Sequence, residues 1–188
     1  PTMPTLYFLF MDIILRKILQ ACGDLKTKPT KYLLFASICE QKLYLIEENA
    51  LLEVFEISTS RKPPSCVENS EGTPTGLHMI DGKIGADAPI NTVFRGRAAQ
   101  GLVSEQTAEE QKKNLITTRI MRLRGLEEGK NAGHGRDTFD RYVYIHGTNQ
   151  EDKIGTPNSH GCLLLRNGDV ARLFDIVSDG SLILISED

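Results

Sequence analysis

Short blocks of apolar and polar residues alternate along most of this chain, and their lengths are those of β-strands. From residue 31, apolar and β-branched runs at 32–38, 43–46 and 51–58 are separated by polar segments at 39–42 and 47–50. Runs of about four to eight such residues between turn signals predict strands. The segment therefore predicts a three-stranded meander, the usual opening of a sandwich or barrel.

Strand character returns in the second half of the chain. Residues 115–123 and 142–145 are rich in β-branched and aromatic side chains, and residues 181–185 form a short apolar run. Between the two halves lies a segment, 61–76, that is rich in Pro, Ser, Gly and Thr. It is too long for a simple connection, and such loops often carry functional residues on a rigid scaffold.

Three other stretches have helical signals. Apolar residues recur at three- and four-residue steps over positions 14–22 and end at Gly23, and again over 170–177, where Asn167 is the predicted N-cap. Thr107 to Glu110 matches a capping box that opens a short helix. We therefore predict a β-dominated α+β fold: one sandwich or barrel domain over residues 31–188 with two or three short helices, preceded by a helical extension over residues 1–30.

Composition excludes several classes of protein. Of the 188 residues, 40% are hydrophobic and 25% are charged, which is ordinary for a soluble globular domain. The formal net charge of -3 provides no general field for binding nucleic acid. Four scattered cysteines are too few for a disulfide framework. We expect a monomer, with Cys39 inert and Cys66 exposed.

The N-terminal region allows two interpretations. Residues 6–19 are apolar but include Asp12, Arg16 and Lys17, so the run is too short and too charged to span a bilayer. A secretory signal carries its positive charges before the apolar residues, whereas here they follow. We interpret the segment as an amphipathic helix with Cys22 as a buried thiol. The alternative is a lipoprotein cleavage site in front of Cys22.

The sharpest chemical signal is a pair of motifs in the last third of the chain. A predicted strand leads into His-Gly-Thr at 146–148, and Ser-His-Gly-Cys follows at 159–162. A cysteine attacks as thiolate, and a neighbouring imidazole accepts its proton and stabilises the anion. Backbone N–H groups at Gly161 and Cys162 are candidates to face a developing oxyanion, since Gly161 has no side chain in the way. The motifs therefore predict an activated cysteine.

Together, these motifs resemble the signature of the L,D-transpeptidases, the YkuD-domain family of peptidoglycan enzymes. Residues 72–76 (Gly-Thr-Pro-Thr-Gly), 83–90 (with Lys-Ile-Gly and Ala-Pro-Ile) and 166–170 (Arg-Asn-Gly-Asp-Val) are also similar to family segments. The resemblance covers about residues 31–185 and implies a YkuD-like fold. It implies a bacterial envelope enzyme that transfers an acyl group from a tetrapeptide stem, through a thioester, to an acceptor amine, with no metal or organic cofactor.

The resemblance also implies roles for individual residues. Cys162 is the expected nucleophile and His146 the expected general base, with the carbonyl of Gly147 orienting its ring. The remaining residues implied by the resemblance are His160, Gly161 and Cys162 on the oxyanion side and Ser159 as support for the geometry. From the sequence we add four candidate substrate contacts: Arg166 and Arg141, His78, and Thr148. For His78, a surface or satisfied core position is the alternative interpretation. Two departures stand out: Leu164 occupies the position where the family usually has Arg, and a clear export signal is missing, which keeps a cytoplasmic location open.

Other functions remain possible at this point. Water in place of the acceptor amine gives an L,D-carboxypeptidase, and Leu164 keeps open a cell-wall-binding domain with impaired chemistry. A zinc site on His146, His160 and Cys162 is a further alternative, with His78 or His134 as a fourth ligand. Cys162 and His160 also have the simpler interpretation of packed core residues. Arg95 and Arg97 are interpreted as solvated surface residues.

Overall fold

A computed structural model describes the backbone of residues 3–188 and the side chains of residues 9–188. The helices are α1 (Met3–Asp24), α2 (Ala108–Gln111) and α3 (Asn167–Ile176). The strands are β1 (Tyr32–Ser37), β2 (Lys42–Glu47), β3 (Ala50–Glu56), β4 (Gly76–Ile84), β5 (Thr92–Arg95), β6 (Ala98–Leu102), β7 (Ile116–Gly125), β8 (Tyr144–Thr148), β9 (Leu163–Leu165) and β10 (Leu182–Ser186). The meander and the strand near the C-terminus were predicted from the sequence and are confirmed. Of the capping box predicted at α2, the structure shows the N-cap contact, in which Thr107 Oγ1 accepts from the N–H of Glu110.

All ten of these strands belong to one sheet. Its main path runs β3-β2-β1-β10-β4-β7-β5-β6, and β8 and β9 branch from β7. The pairs β1–β10 and β8–β9 are parallel, and the other neighbours are antiparallel. Because β7 pairs with β4 and β5 as well as with β8, the sheet curls into a half-barrel. The predicted β-dominated α+β class is confirmed.

The two faces of the sheet are covered by different helices. Along β1, Leu34 and Ala36 enter the main core with α3, whereas Leu33 and Phe35 enter a second cluster with α1. This alternation follows from the two-residue period of a strand. The α3 side chains in the main core are those predicted for its apolar face, Val170, Leu173, Phe174 and Val177.

Helix α1 is longer than the predicted segment and packs directly on the sheet. Ile14, Ile18 and Cys22 are buried against residues of β1, β2, β4 and β10. The burial of Cys22 was predicted from its helical spacing. Burying an aliphatic side chain contributes about 1.5–3 kcal/mol, so these contacts hold the helix against the sheet. Among the described residues, none of the helices combines the length and hydrophobicity that crossing a bilayer requires.

Two local predictions near the site need correction. The strand predicted at 142–145 begins at Tyr144 and runs to Thr148, so His146 lies within β8 and not at a turn. Tyr142 has φ 56°, a left-handed conformation that an extended strand excludes, and it delays the start of the strand. Arg166, not Asn167, occupies the N-cap position of α3; Asn167 is the first helical residue and its side chain is buried.

Candidate active site

The two parallel strands β8 and β9 bring Cys162 and His146 to one face of the sheet. Cys162 ends the turn that leads into β9, where Leu164 pairs with His146. Residues in register on parallel strands point to the same face, and the next side chain on that face lies about 7 Å along the strand. The N–H of Tyr144 donates to Cys162 Sγ at 3.3 Å, which places the sulfur beside the start of β8. The half-buried thiol and the imidazole therefore share one face.

The turn before Cys162 is fixed by Ser159. Its buried hydroxyl donates to the carbonyl of Cys162 at 2.6 Å and accepts from the N–H of Gly161 at 3.1 Å. The N–H of Gly161, one of the two groups predicted to face an oxyanion, is therefore already bonded to Ser159. The N–H of Cys162 is left as the predicted oxyanion donor. Gly161 itself has φ 122°, a conformation that disfavours any side chain.

The ring of His146 is oriented as a general base requires. Its Nδ1 lies 2.7 Å from the carbonyl oxygen of Gly147. A carbonyl accepts hydrogen bonds and cannot donate them, so Nδ1 carries the hydrogen and Nε2 of the neutral ring carries the lone pair. Gly147 leaves no room for a side chain, since a Cβ there would lie 2.6 Å from Asn167 Oδ1 and 2.8 Å from the carbonyl of Thr117.

Asn167 fixes the backbone behind the base. Its amide nitrogen donates to the carbonyl of Thr148 at 2.9 Å and to Glu151 Oε1 at 2.7 Å, and its oxygen accepts from Thr117 Oγ1 at 2.6 Å. A capping Asn faces its own helix, whereas this one joins β7, β8 and α3 through buried hydrogen bonds. Such a network is costly to disturb, because each unpaired buried group costs about 1–3 kcal/mol.

Burial keeps both members of the pair neutral. It lowers the pKa of His146 to about 4, against the opposing effect of the hydrogen bond to Gly147. It raises the pKa of the Cys162 thiol to about 11, while the Tyr144 N–H and the charge of Arg141 act in the opposite direction. At neutral pH the resting pair is therefore a thiol and an imidazole, not a thiolate and an imidazolium.

A cavity of about 270 Å³ opens beside the sulfur. Its walls come from the long loop, from the segment before β8 and from the catalytic turn: Glu68, Asn69, Glu71, Asp140, Arg141, Tyr142, Val143, His160 and Cys162. A neighbouring cavity of about 300 Å³ shares Glu68, Asp140 and Arg141 with it and extends to the exposed His134. The sequence marked the loop as a carrier of function, but no signal in it singled out Glu68 or Glu71.

His160 lines this cavity together with Cys162, and its ring contacts Arg61. Its side chain is exposed, and its Nε2 lies 2.7 Å from Arg61 Nη2. A guanidinium can only donate, so Nε2 accepts this hydrogen bond. The ring of His160 is therefore held by the loop, and the backbone of this residue is what contributes to the turn.

The sequence model of YkuD, the L,D-transpeptidase catalytic domain, matches residues 31–185. The chain belongs to the YkuD L,D-transpeptidase family. The Bacillus subtilis (strain 168) protein YqjB, provisionally named an L,D-transpeptidase, is 38% identical over 53 residues, which are 28% of this chain and 30% of YqjB.

Solved structures of L,D-transpeptidases share the fold of this YkuD domain. The enzyme from Mycobacterium smegmatis has a TM-score of 0.52 at 18% identity, over 83% of this chain and 58% of that chain. L,D-transpeptidase 3 from Mycobacterium tuberculosis, in complex with a faropenem-derived adduct, has a TM-score of 0.53 at 16% identity, over 86% and 62%. This chain thus spans less than two thirds of the length of these relatives.

Three residues that were expected to contact substrate lie elsewhere in the YkuD domain. His78 is fully buried, with Nδ1 at 2.9 Å from the carbonyl of Gly76 and Nε2 at 3.0 Å from Thr138 Oγ1. Thr148 is also fully buried and donates to Asn114 Oδ1 at 2.9 Å. These two side chains have no access to a substrate, and both expectations are corrected.

Arg166 and Arg141 differ in their position relative to the Cys162 cavity. Arg166 lies at the far end of β9, outside the Cys162 cavity, and pairs with Glu56 at 2.8 Å. The substrate contact expected of Arg166 stays a prediction. Arg141 does line the cavity, but its terminal nitrogens bond to the long loop.

The residues of the zinc alternative do not form a ligand set. Within residues 3–188, no three or more His, Cys, Asp or Glu side chains converge so as to hold a metal ion. In particular, His160 faces Arg61, while His146 is turned toward the carbonyl of Gly147. The alternative of simple core packing does not fit Cys162 either, because the thiol is half-buried at the edge of an open cavity.

A contact that the sequence did not indicate joins the β5–β6 hairpin to the site. Arg97, in the turn of that hairpin, donates to the hydroxyl of Tyr144 at 3.2 Å and lies 5.3 Å from the ring centroid of Tyr142. Tyr144 is the residue whose N–H contacts the sulfur. Arg97 and these tyrosines are about 45 residues apart in the sequence. A cation–π contact depends on proximity in the folded structure, so the sequence could not predict this pairing.

Proposed function

We propose that this chain is a cysteine-dependent peptidoglycan L,D-transpeptidase, with Cys162 as the nucleophile and His146 as the general base. The observation that carries the proposal is the pair itself: a thiol at the edge of a cavity and, on the same face of the sheet, an imidazole whose Nε2 lone pair is set by the bond between Nδ1 and Gly147. Membership of the YkuD family supports it.

Acylation begins with transfer of the thiol proton to His146 Nε2 as the sulfur attacks. The attacked carbonyl carbon is that of the amide after the L-centre of the diamino acid, at the third position of a tetrapeptide stem. The carbonyl oxygen becomes an oxyanion, for which the N–H of Cys162 is the predicted donor. As the C–N bond breaks, His146 returns the proton to the departing D-amino acid, and a thioester remains on Cys162.

The second half-reaction transfers the acyl group to an amine. His146 removes a proton from an amine of a second stem, and the amine nitrogen attacks the thioester carbon. The C–S bond breaks, the sulfur takes back the proton from His146, and a new amide cross-link forms. This substrate assigns the enzyme to the bacterial envelope, where peptidoglycan is built.

The neutral resting pair suits this route. A thiol with a pKa of about 11 is protonated at pH 7, so its proton must leave during the attack. An imidazole with a pKa of about 4 stays unprotonated and available as a base throughout the neutral range. The long-lived thiolate of the most reactive cysteine enzymes is therefore not needed here.

Product analysis tests the proposal. The protein is incubated with a tetrapeptide donor alone and with donor plus an acceptor amine, and the products are weighed by mass spectrometry. We expect release of the terminal D-amino acid and a cross-linked product when the amine is present. Hydrolysis alone in both samples would instead indicate an L,D-carboxypeptidase. The Cys162→Ala variant should give neither product, and turnover in that variant would contradict the assignment.

A carbapenem separates the enzyme from a wall-binding domain with impaired chemistry. The strained ring of a carbapenem acylates an active thiol without requiring the acceptor. We expect a covalent adduct on Cys162 under conditions that label an active YkuD-family enzyme. Unlabelled protein under those conditions would favour the binding domain.

A further inference from the structure

The guanidinium of Arg141 connects the long loop to the segment that precedes β8. Its Nη1 donates to the carbonyl of Ser65 at 3.0 Å, and its Nη2 donates to the carbonyl of Gly72 at 2.8 Å and to Ser70 Oγ at 3.3 Å. A forked group with several fixed donors is suited to holding a loop at more than one point. The loop is thus clamped by a side chain that also lines the Cys162 cavity.

The loop that Arg141 holds packs against the turn that carries Cys162. A Cβ built at Gly161 would lie 3.2 Å from the carbonyl oxygen of Gly72 and 3.5 Å from that of Glu71. The hydroxyl of Ser60 donates to the same Glu71 carbonyl at 2.6 Å. The loop backbone that Arg141 holds at Gly72 is therefore the backbone against which residues 161 and 162 pack.

The charges around the thiol are unbalanced without Arg141. Of the residues that line the cavity, three are carboxylates, Glu68, Glu71 and Asp140, and Arg141 alone carries a fixed positive charge. The other titratable neighbours are His146 on β8, His160 on the turn, and Tyr142 before β8; Arg61 and Arg97 bind His160 and Tyr144, respectively. Nearby negative charges disfavour a thiolate, and a nearby positive charge favours it.

We propose that Arg141 is a positioning residue that sets the reactivity of Cys162, and that it does not bind the substrate. It supplies the positive charge that offsets the carboxylates on the cavity wall, and its hydrogen bonds to the loop hold that charge beside the turn that carries Cys162. This inference rests on the proposed function of Cys162 as nucleophile. The lowering of the thiol pKa by Arg141, against the larger effect of burial, agrees with it.

Alkylation of the thiol tests the charge without any peptidoglycan substrate. The second-order rate constant for iodoacetamide at Cys162 is measured at pH 8 in wild type and in Arg141→Gln and Arg141→Lys, with each cysteine resolved by peptide mass spectrometry. Loss of a nearby opposite charge raises a pKa by about one unit or more. The thiolate fraction then falls about tenfold, and its greater intrinsic nucleophilicity recovers part of this, so Arg141→Gln should react roughly threefold more slowly.

The lysine variant separates charge from loop bracing. Arg141→Lys loses the fork but retains the charge, so its alkylation rate should stay within about twofold of wild type. Ser70→Ala removes one partner of Arg141 and no charge, and it also loosens the loop, because the Ser70 hydroxyl donates to the carbonyl of Val67 at 2.6 Å and accepts from the N–H of Gly72 at 3.2 Å. It is the matched control for loop bracing and should leave the rate within about twofold of wild type. Equal slowing in the Lys and Gln variants, or slowing in Ser70→Ala, would reduce Arg141 to a loop brace.

The outcome for acylation distinguishes this inference from the function on which it rests. If wild type forms no thioester with a tetrapeptide donor, the proposed function fails whatever Arg141 does. If wild type forms it, Arg141→Gln should lower the acylation rate at saturating donor while the donor concentration at half-maximal rate changes little. A change confined to that concentration would show that Arg141 binds substrate, and would overturn the inference. If Arg141→Gln does not fold, a threefold lower alkylation rate in Arg141→Lys would also overturn the inference about Arg141.

Discussion

Two buried histidines, His78 on β4 and His146 on β8, lie on either side of the same strand, β7. In both, Nδ1 bonds to a backbone carbonyl, and burial lowers the pKa to about 4. The difference is at Nε2. In His78 it is bonded to Thr138 Oγ1, whereas the described part of the chain, with side chains from residue 9 onward, shows a partner only for Nδ1 of His146.

The comparison shows that a lowered pKa does not by itself identify a base. Both rings are neutral at pH 7 for the same reason, desolvation, but His78 has both nitrogens occupied in the interior. His146 shares a face with the half-buried Cys162 and keeps a lone pair for its proton. The proposed role of His146 as a base therefore rests on the neighbours of Nε2 and not on the pKa.

The largest expected effect is on the acylation rate when each histidine is exchanged for glutamine, and it should be confined to the His146 variant. His146→Gln removes the base, and general-base catalysis contributes about 10²–10⁴-fold, so acylation by a tetrapeptide donor should fall by that factor. His78→Gln leaves the pair untouched and should retain the rate per folded molecule to within roughly twofold. Rapid-quench mass spectrometry gives both rates. Comparable losses in the two variants would remove the distinction between the histidines.

A smaller effect is expected on stability in acid, where the two histidines should behave alike. Each titrates near 6.5 in the unfolded chain and near 4 in the fold, so the unfolded state binds more protons between these values. Stability is therefore complete above pH 6.5 and is lost as the pH falls through 4. By pH 4.5 the loss relative to pH 7 should be about 2–3 kcal/mol for each histidine.

Urea unfolding at pH 7 and pH 4.5 measures this loss. Carboxylates contribute to the pH dependence of every variant, so the informative quantity is the difference between wild type and His78→Gln. The variant lacks one depressed histidine and should lose about 2–3 kcal/mol less than wild type over the same interval. An identical pH dependence would show that His78 does not hold a depressed pKa.

The smallest of the three effects concerns Thr138. Its hydroxyl lies within hydrogen-bonding distance of His78 Nε2 and of the carbonyl of Asn131, at 3.0 Å and 2.9 Å. Thr138→Val keeps the shape of the side chain but leaves His78 Nε2 without its partner. This should lower the free energy of unfolding by about 1–2 kcal/mol at pH 7. Thermal or urea unfolding measures it. Acylation should not change, and a slower reaction would indicate that the His78 network reaches the active site.

Most of the fold could be predicted from the sequence because the local patterns agree with the packing in the structure. The meander over β1–β3 and the apolar face of α3 have clear periods, and the structure keeps both. The start of β8 could not be predicted, because the left-handed backbone at Tyr142 has no signature in a non-glycine residue. Asn167 has the composition of a cap, but tertiary hydrogen bonds to Thr117 and Glu151 give its side chain another use.

The candidate site was predictable where a motif is local and was not where it depends on distant segments. The motifs at 146–148 and 159–162 are each contiguous, and β8 and β9 pair in parallel beside one another. His78 and Arg166 are polar residues near motifs, yet the fold places one in the interior and the other at the far end of β9. The clamp between Arg141 and Gly72 joins residues 69 positions apart, which no spacing rule connects.

Mapping of the acyl-enzyme tests the central claim most directly. Wild type, Cys162→Ala and Cys66→Ser are mixed with a tetrapeptide donor, quenched in acid and digested, and the mass of the acyl group is located on a peptide. Cys66 is the matched control, because it is a partly exposed thiol on the loop beside the site. We expect a thioester on Cys162 in wild type and in Cys66→Ser, and none in Cys162→Ala. An acyl group on another residue, or one that persists in Cys162→Ala, would contradict it.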